Sequence, residues 1–150
     1  MIVKSLEHLN SLSQKIADKL AKNDCIFLIG EIGVGKTTFT RYLINNLQIQ
    51  KGIKETEVLS PTFNLLYEYE IKDLKIMHYD LYRINNENEL DHLGIFSENK
   101  KTVKIIEWPH LIKTPLSNKL EIHLEYGDKD QERKMIIHGL NKWKDFENEV

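Results

Sequence analysis

Lys36 and Thr37 close the stretch Gly30-Glu31-Ile32-Gly33-Val34-Gly35-Lys36-Thr37-Thr38. It fits G-x-x-x-x-G-K-[ST] without a mismatch. Glycines in such a loop let the backbone curl, so that successive N–H groups point at phosphate oxygens. The start of the following helix adds a partial positive charge. Lys36 can reach the β- and γ-phosphates of a nucleotide, and the Thr37 hydroxyl can hold Mg²⁺. Glu31, Gly33, Val34, Gly35, Lys36, Thr37 and Thr38 are therefore the expected nucleotide-binding residues. The competing reading is a glycine-rich turn with a chance lysine, and the flanking residues argue against it.

A phosphate loop needs a second acid to hold Mg²⁺, directly or through water, opposite the Thr37 hydroxyl. Such acids usually stand at the C-terminal end of a neighbouring strand. Glu107 ends the apolar run Val103 to Ile106, and Asp80 ends the segment that leads into Leu81-Tyr82-Arg83. Glu107 is the expected metal residue. Asp80 serves the shell of magnesium waters or the positioning of the attacking water; the alternative for either acid is a solvated strand end. Ser60-Pro61-Thr62 offers Thr62 as a sensor of the γ-phosphate; the alternative is that Ser60 and Thr62 only shape a turn.

Other side chains are less specific. Arg83 anchors phosphate or Asp80, or lies on the surface. Arg133 faces the nucleotide, a partner or solvent. Trp108 is either a plug beside Glu107 or an aromatic wall of the site. The histidines have no metal-ligand spacing with cysteine or with each other. They read as core-edge or surface residues, of which only His78 sits near the proposed site.

The flanking residues explain how these groups are positioned. Cys25 to Ile29 is an unbroken apolar run, as a buried parallel strand requires. After the loop, Phe39, Tyr42, Leu43 and Leu47 fall on one side of a helix that runs from Thr38 to Leu47 and ends near Asn45-Asn46. An earlier helix is expected over Ser5 to Lys22, with Ser5 as its N-cap. Gln48 to Leu59 reads as a polar loop. From Phe63 to Ile71 the pattern alternates, and Lys75 to Leu81 forms the second strand of a hairpin. A short helix over Asn85 to Leu93 is closed by Gly94. Leu120 to Tyr126 and Met135 to His138 are the last strands. The tail around Trp143 and Phe146 is a short helix or a frayed end.

The chain has 150 residues, enough for one domain, with a net charge of −2 and a single cysteine. No basic field argues for direct nucleic-acid binding, and no disulfide framework is possible. Met1 to Leu12 is interrupted by Lys4, Glu7 and His8, unlike a secretion signal, and no apolar run approaches a membrane span. A cytoplasmic protein without a membrane segment is expected.

Two short strings suggest a GTPase. Asp91-His92-Leu93-Gly94 spells D-x-x-G, but it follows a polar helical stretch rather than a strand. Asn141-Lys142-Trp143-Lys144 begins like N-K-x-D, but Lys144 replaces the acid that would bind guanine. Adenine is the better expectation.

These residues together resemble the TsaE (YjeE) family of P-loop ATPases of bacterial tRNA threonylcarbamoyladenosine modification. The resemblance rests on the loop with Arg41 after it, on Ser60-Pro61-Thr62-Phe63, and on His78-Tyr79-Asp80-Leu81-Tyr82-Arg83. Glu89-Leu90 with Leu93-Gly94, and Ile106-Glu107-Trp108, complete it. It implies a P-loop NTPase-like three-layer α/β fold over residues 1–150, with a mixed, mainly parallel sheet and an added antiparallel hairpin. It implies ATP with Mg²⁺ near Thr37 and Glu107, Thr62 in a switch-like loop, and Asp80 needed for hydrolysis. Lys36 and Arg133 would serve the nucleotide, Lys36 also catalytically. The implied partners are TsaB and TsaD homologues, with tRNA met only through the complex. TsaD would transfer the threonylcarbamoyl group to the adenosine next to the anticodon, and ATP turnover would reset the complex. Glu31 and Val34 replace the Asp and Ala common in the family's loop, and Leu9 stands where many members carry a hydroxyl. A small-molecule kinase and a nucleotide-dependent interaction module are the alternatives. A kinase of this type usually carries an arginine-rich lid, and no arginine lies between Arg83 and Arg133.

Overall fold

The alternating side-chain direction along the central strands, which are covered on both faces, decides which side chains reach the phosphate loop. The computed structural model describes residues 1–97 and 101–150. The chain runs β1 (Ile2–Val3), α1 (Leu6–Lys19), β2 (Cys25–Ile29) and α2 (Lys36–Gln50). It continues with β3 (Leu66–Ile71), β4 (Leu74–Asp80), a 3-10 helix at Glu87–Leu93 and β5 (Thr102–Glu107). The hairpin β6 (Lys119–Tyr126) and β7 (Arg133–Gly139) follows, and then short 3-10 turns.

Among the described residues, seven strands form one sheet in the order β1-β7-β6-β2-β5-β4-β3. The four inner strands β6, β2, β5 and β4 are parallel. β3 pairs antiparallel with β4, which is the expected added hairpin, and β7 and β1 extend the other edge antiparallel. β2 is apolar throughout because it has a neighbour on each side and a cover on each face.

α1 and α2 cover one face. Leu9, Leu12, Ile16, Leu43, Ile44 and Leu47 pack with Ile26 and Leu28 of β2 and Ile105 of β5. On the opposite face Cys25, Phe27, Met77, Tyr79 and Ile106 pack beneath Ile84, Leu90 and Ile95 of the 3-10 segment and its flanks. Successive strand residues point to opposite faces. Since Tyr79 and Ile106 face the 3-10 layer, His78, Asp80 and Glu107 face the helices.

Four local features depart from the sequence reading. α2 continues through Gln50, where a loop was expected from Gln48. Gln48 is buried and binds Thr56 twice, its Nε2 donating to Oγ1 (2.8 Å) and its Oε1 accepting from the amide (3.0 Å). A polar residue can extend a helix inward when its amide is fully paired. β3 starts at Leu66 instead of Phe63, because Leu65 takes a positive φ of 66° and Phe63 is 80% exposed. The short helix over Glu87–Leu93 is 3-10, ended by Gly94 at φ 70° as expected. β1 had no sequence signal: two residues are too few for a period.

The tail is packed, not frayed. Trp143 and Phe146 are buried and meet edge to face at 5.2 Å. Among the described residues no helix is long and apolar enough to cross a membrane.

Candidate functional site

The loop after β2 is shaped by its surroundings as much as by its glycines. A Cβ on Gly30 would lie 2.3 Å from the Leu124 carbonyl oxygen, so β6 leaves no room for a side chain there. Gly35 has open space around it but a φ of 118°, which only glycine adopts without strain. It caps α2 with no side-chain hydrogen bond, which leaves the first helical N–H groups to a ligand. Two side chains of the β6–β7 hairpin fix the loop from outside. The Tyr126 hydroxyl donates to the Ile32 carbonyl (2.9 Å), and Arg133 Nε donates to the Val34 carbonyl (2.9 Å).

Lys36 folds back onto the loop, where Nζ donates to the carbonyls of Gly30 (2.7 Å) and Glu31 (2.8 Å). The ammonium also lies 4.4 Å from the centre of the Trp108 ring. Burial lowers the Lys36 pKa, opposed by the negative charges of Glu107 and Asp80. Carbonyls hold this cation loosely compared with phosphate oxygens, so the lysine is placed to exchange one for the other.

Glu107 ends β5 beside the end of β2, in register with Leu28 and with Asp80. The residue is 2% exposed. Oε1 accepts from the Thr37 hydroxyl at 2.9 Å. A buried carboxylate next to a loop hydroxyl is a donor set suited to Mg²⁺. Magnesium usually takes one or two protein oxygens and fills the rest with phosphates and water. Among the described residues no three His, Cys, Asp or Glu side chains form a metal cage, and this kind of site needs none.

Asp80 ends β4, where Oδ2 accepts from the Thr62 hydroxyl (2.9 Å) and Oδ1 from the Tyr82 amide (2.9 Å). Thr62 is 2.9 Å from the Ser60 hydroxyl, so the turn and the acid form one chain of hydrogen bonds. The turn comes near Asp80 because the Asp80 amide also bonds the Leu65 carbonyl. Thr62 therefore shapes the turn, the second of the two readings, and also touches the acid.

These groups line one cleft of about 300 Å³ bounded by Gly33, Gly35, Lys36 to Thr38, Ser60, Thr62, Asp80, Tyr82, Glu107 and Trp108. Trp108 forms a wall of the cleft, with its ring 4.9 Å from Tyr82. Across the loop lies a second hollow of about 670 Å³, lined by Val3, Ser5, Leu9, Val34, Thr38 and Arg133 among others. Arg133 is thus at the loop but not in the cleft of Lys36 and Glu107. Arg83 is not held by Asp80 and sits 5.2 Å over the exposed Phe63 ring. Glu31 touches Lys36 only through its backbone.

His78 and Tyr126 were not singled out as site residues from the sequence. The His78 ring is fully buried and its Nε2 lies 2.8 Å from Glu107 Oε1. The signal was present in the alternation: His78 is two residues before Asp80 on one strand, so both share a face. Tyr126 carried no comparable signal.

A family model described as "Threonylcarbamoyl adenosine biosynthesis protein TsaE" matches residues 3–135. Relatives named "tRNA threonylcarbamoyladenosine biosynthesis protein TsaE" include that of Rickettsia prowazekii, 35% identical over 143 residues, covering 95% of this chain and 96% of the relative. That of Bacillus subtilis is 33% identical over 120 residues, covering 78% and 72%. The crystal structure of YdiB from Bacillus subtilis superimposes with a TM-score of 0.70 at 25% identity, covering 99% of this chain and 90% of that one.

Proposed function

The chain belongs to the TsaE family of tRNA threonylcarbamoyladenosine biosynthesis, and on that premise we propose that it is the family's Mg²⁺-dependent ATPase. It binds and hydrolyses ATP, and its turnover drives or resets the cycle of a TsaB–TsaD transferase. The observation that carries this reading is the Thr37–Glu107 contact of 2.9 Å beside Lys36. It joins the phosphate loop to the neighbouring strand, as the two halves of a magnesium-nucleotide site must be joined.

In this reading the N–H groups of Gly33 to Thr38 cradle the phosphates. Lys36 leaves the Gly30 and Glu31 carbonyls and moves to the β- and γ-phosphate oxygens. Thr37 and Glu107 would hold Mg²⁺, which would supply charge to offset what grows on the transferring phosphoryl group. Thr37 could keep donating its hydrogen to Glu107, because its lone pairs remain available to a cation. Asp80, oriented by Thr62 and the Tyr82 amide, positions the attacking water. The hollow by Ser5 and Arg133 takes the adenosine, with Leu9 supplying an apolar wall instead of a hydroxyl. The tRNA is met only through the partners.

Reconstitution tests the reading. The protein is mixed with TsaB, TsaD, threonylcarbamoyl-adenylate, ATP and tRNA, and turnovers are counted. Modified tRNA should accumulate over many turnovers with the wild type and stall with Lys36→Ala. Equal product when the protein is omitted or carries Lys36→Ala overturns the proposal. Phosphate appearing on a metabolite instead of in solution would mark a kinase.

A further inference from the structure

His78 lies in the middle of β4, where a packed strand normally carries an apolar residue. Its ring is fully buried, and burying a polar ring is unfavourable unless a partner offsets the lost hydration. The partner is Glu107, reached across the parallel pair β4–β5. The other ring nitrogen, Nδ1, has no hydrogen-bond partner in the protein. The ring hydrogen therefore belongs on Nε2, where an acceptor exists, and His78 donates to the carboxylate. That bond and the Thr37 bond land on the same oxygen, Oε1. Among the described residues no hydrogen bond falls on Oε2. One oxygen is tied by two donors, one from α2 and one from β4, which restrains the carboxylate from turning and leaves the other oxygen without a donor among the described residues.

Resting on the magnesium-nucleotide reading above, we infer that His78 is the positioning residue of the metal site, fixing the Glu107 carboxylate through its Nε2–H. It touches neither nucleotide nor metal. Outer donors of this kind orient a metal-binding carboxylate, and their loss typically weakens metal affinity about 10–100-fold. The Thr37 bond alone leaves the carboxylate free to turn about it, and the second bond, from His78, removes that freedom.

The test is a calorimetric titration of Mg²⁺ into protein saturated with ADP, alongside ADP binding in EDTA. His78→Leu removes the donor and His78→Gln keeps an N–H at a similar reach. His78→Leu should raise the Mg²⁺ half-saturation about 10–100-fold and leave ADP binding in EDTA within about twofold. His78→Gln should recover most of the loss. If His78→Leu does not fold, His78→Asn, too short to reach Glu107, takes its place with the same expectation. A folded Leu or Asn variant that titrates Mg²⁺ like the wild type overturns this inference alone. A wild-type protein whose ADP binding gains nothing from Mg²⁺ overturns the reading beneath it as well.

Discussion

Asp80 and Glu107 stand opposite each other at the ends of adjacent parallel strands, yet their carboxylates are held by different partners. Asp80 is bound by Thr62 and the Tyr82 amide, and Glu107 by Thr37 and His78. One acid is tied to the loop that precedes β3, the other to the phosphate loop. The two are therefore free to do different work within one cleft.

That division predicts different kinetic losses. Asp80→Asn should lower ATP turnover in the reconstituted complex by about 100-fold or more, the scale of a lost positioned base, with Mg²⁺ affinity unchanged. Glu107→Gln should weaken Mg²⁺ binding and turnover together. Thr62→Val should follow Asp80→Asn in direction, and Thr62→Ser should restore activity. Turnover assays paired with calorimetric Mg²⁺ titrations check the pattern; an Asp80→Asn loss confined to Mg²⁺ affinity contradicts it.

Gly30 should be the most costly loop glycine to replace. Gly30→Ala brings a methyl against the Leu124 carbonyl oxygen at 2.3 Å, so β2 and β6 must separate. The expected destabilisation is about 3 kcal/mol or more, a backbone clash added to strain. Gly52→Ala, with φ 67° and open space around it, should cost only about 1–2 kcal/mol. Urea unfolding of both variants measures the difference.

The single thiol gives the stability a defined alkaline limit. Burial pushes Cys25 up to about 12 from an ordinary 9.0, against the pull of Lys104 and Lys119. A folded pKa above the unfolded one means the stabilisation is complete below pH 9 and is lost as pH rises towards 12. The loss should run at about 1.4 kcal/mol per pH unit. Cys25→Ala should remove this contribution, leaving the later alkaline decline from Tyr79, whose hydroxyl is also pushed up by burial. Unfolding free energies of the two proteins between pH 8 and 11 test this, and parallel curves would contradict it.

The tail is anchored by an ion pair at the C-terminal end of α1. Lys142 Nζ lies 2.5 Å from Asp24 Oδ2, and the Asp24 side chain is fully buried. Burial raises the Asp24 pKa, and the bonds from Lys142 and the Ala21 amide oppose that rise. Lys142→Met leaves a buried carboxylate without its cation, at a cost of about 3 kcal/mol near neutral pH. Because the folded pKa then rises further, the penalty should shrink as pH falls and protonation removes the charge. Thermal unfolding at pH 7 and pH 4.5 compares the two; a penalty that grows at low pH rules out this account.

The phosphate loop, the order of its flanking elements and the two acids were legible in the chain because they are local or periodic. Gly30 to Thr38 is a contiguous motif, Cys25–Ile29 an apolar run, and Glu107 and Asp80 mark strand ends. The late start of β3 was not legible, because the alternation from Phe63 continues through a turn set by the φ of Leu65. The extension of α2 was hidden by Gln48, whose polarity suggests a loop until Thr56 is seen bound to it.

By itself the sequence determined that this protein presents a phosphate loop after a buried strand, with acids at the ends of later strands. Those statements need only the spacing of residues near one another in the chain. Which acid meets which hydroxyl was decided by the tertiary structure. The register of β4 on β5 and of β5 on β2 sets Glu107 between Thr37 and His78, and Asp80 beside Thr62. No local pattern encodes that register, because it follows from burying both faces of the sheet at once.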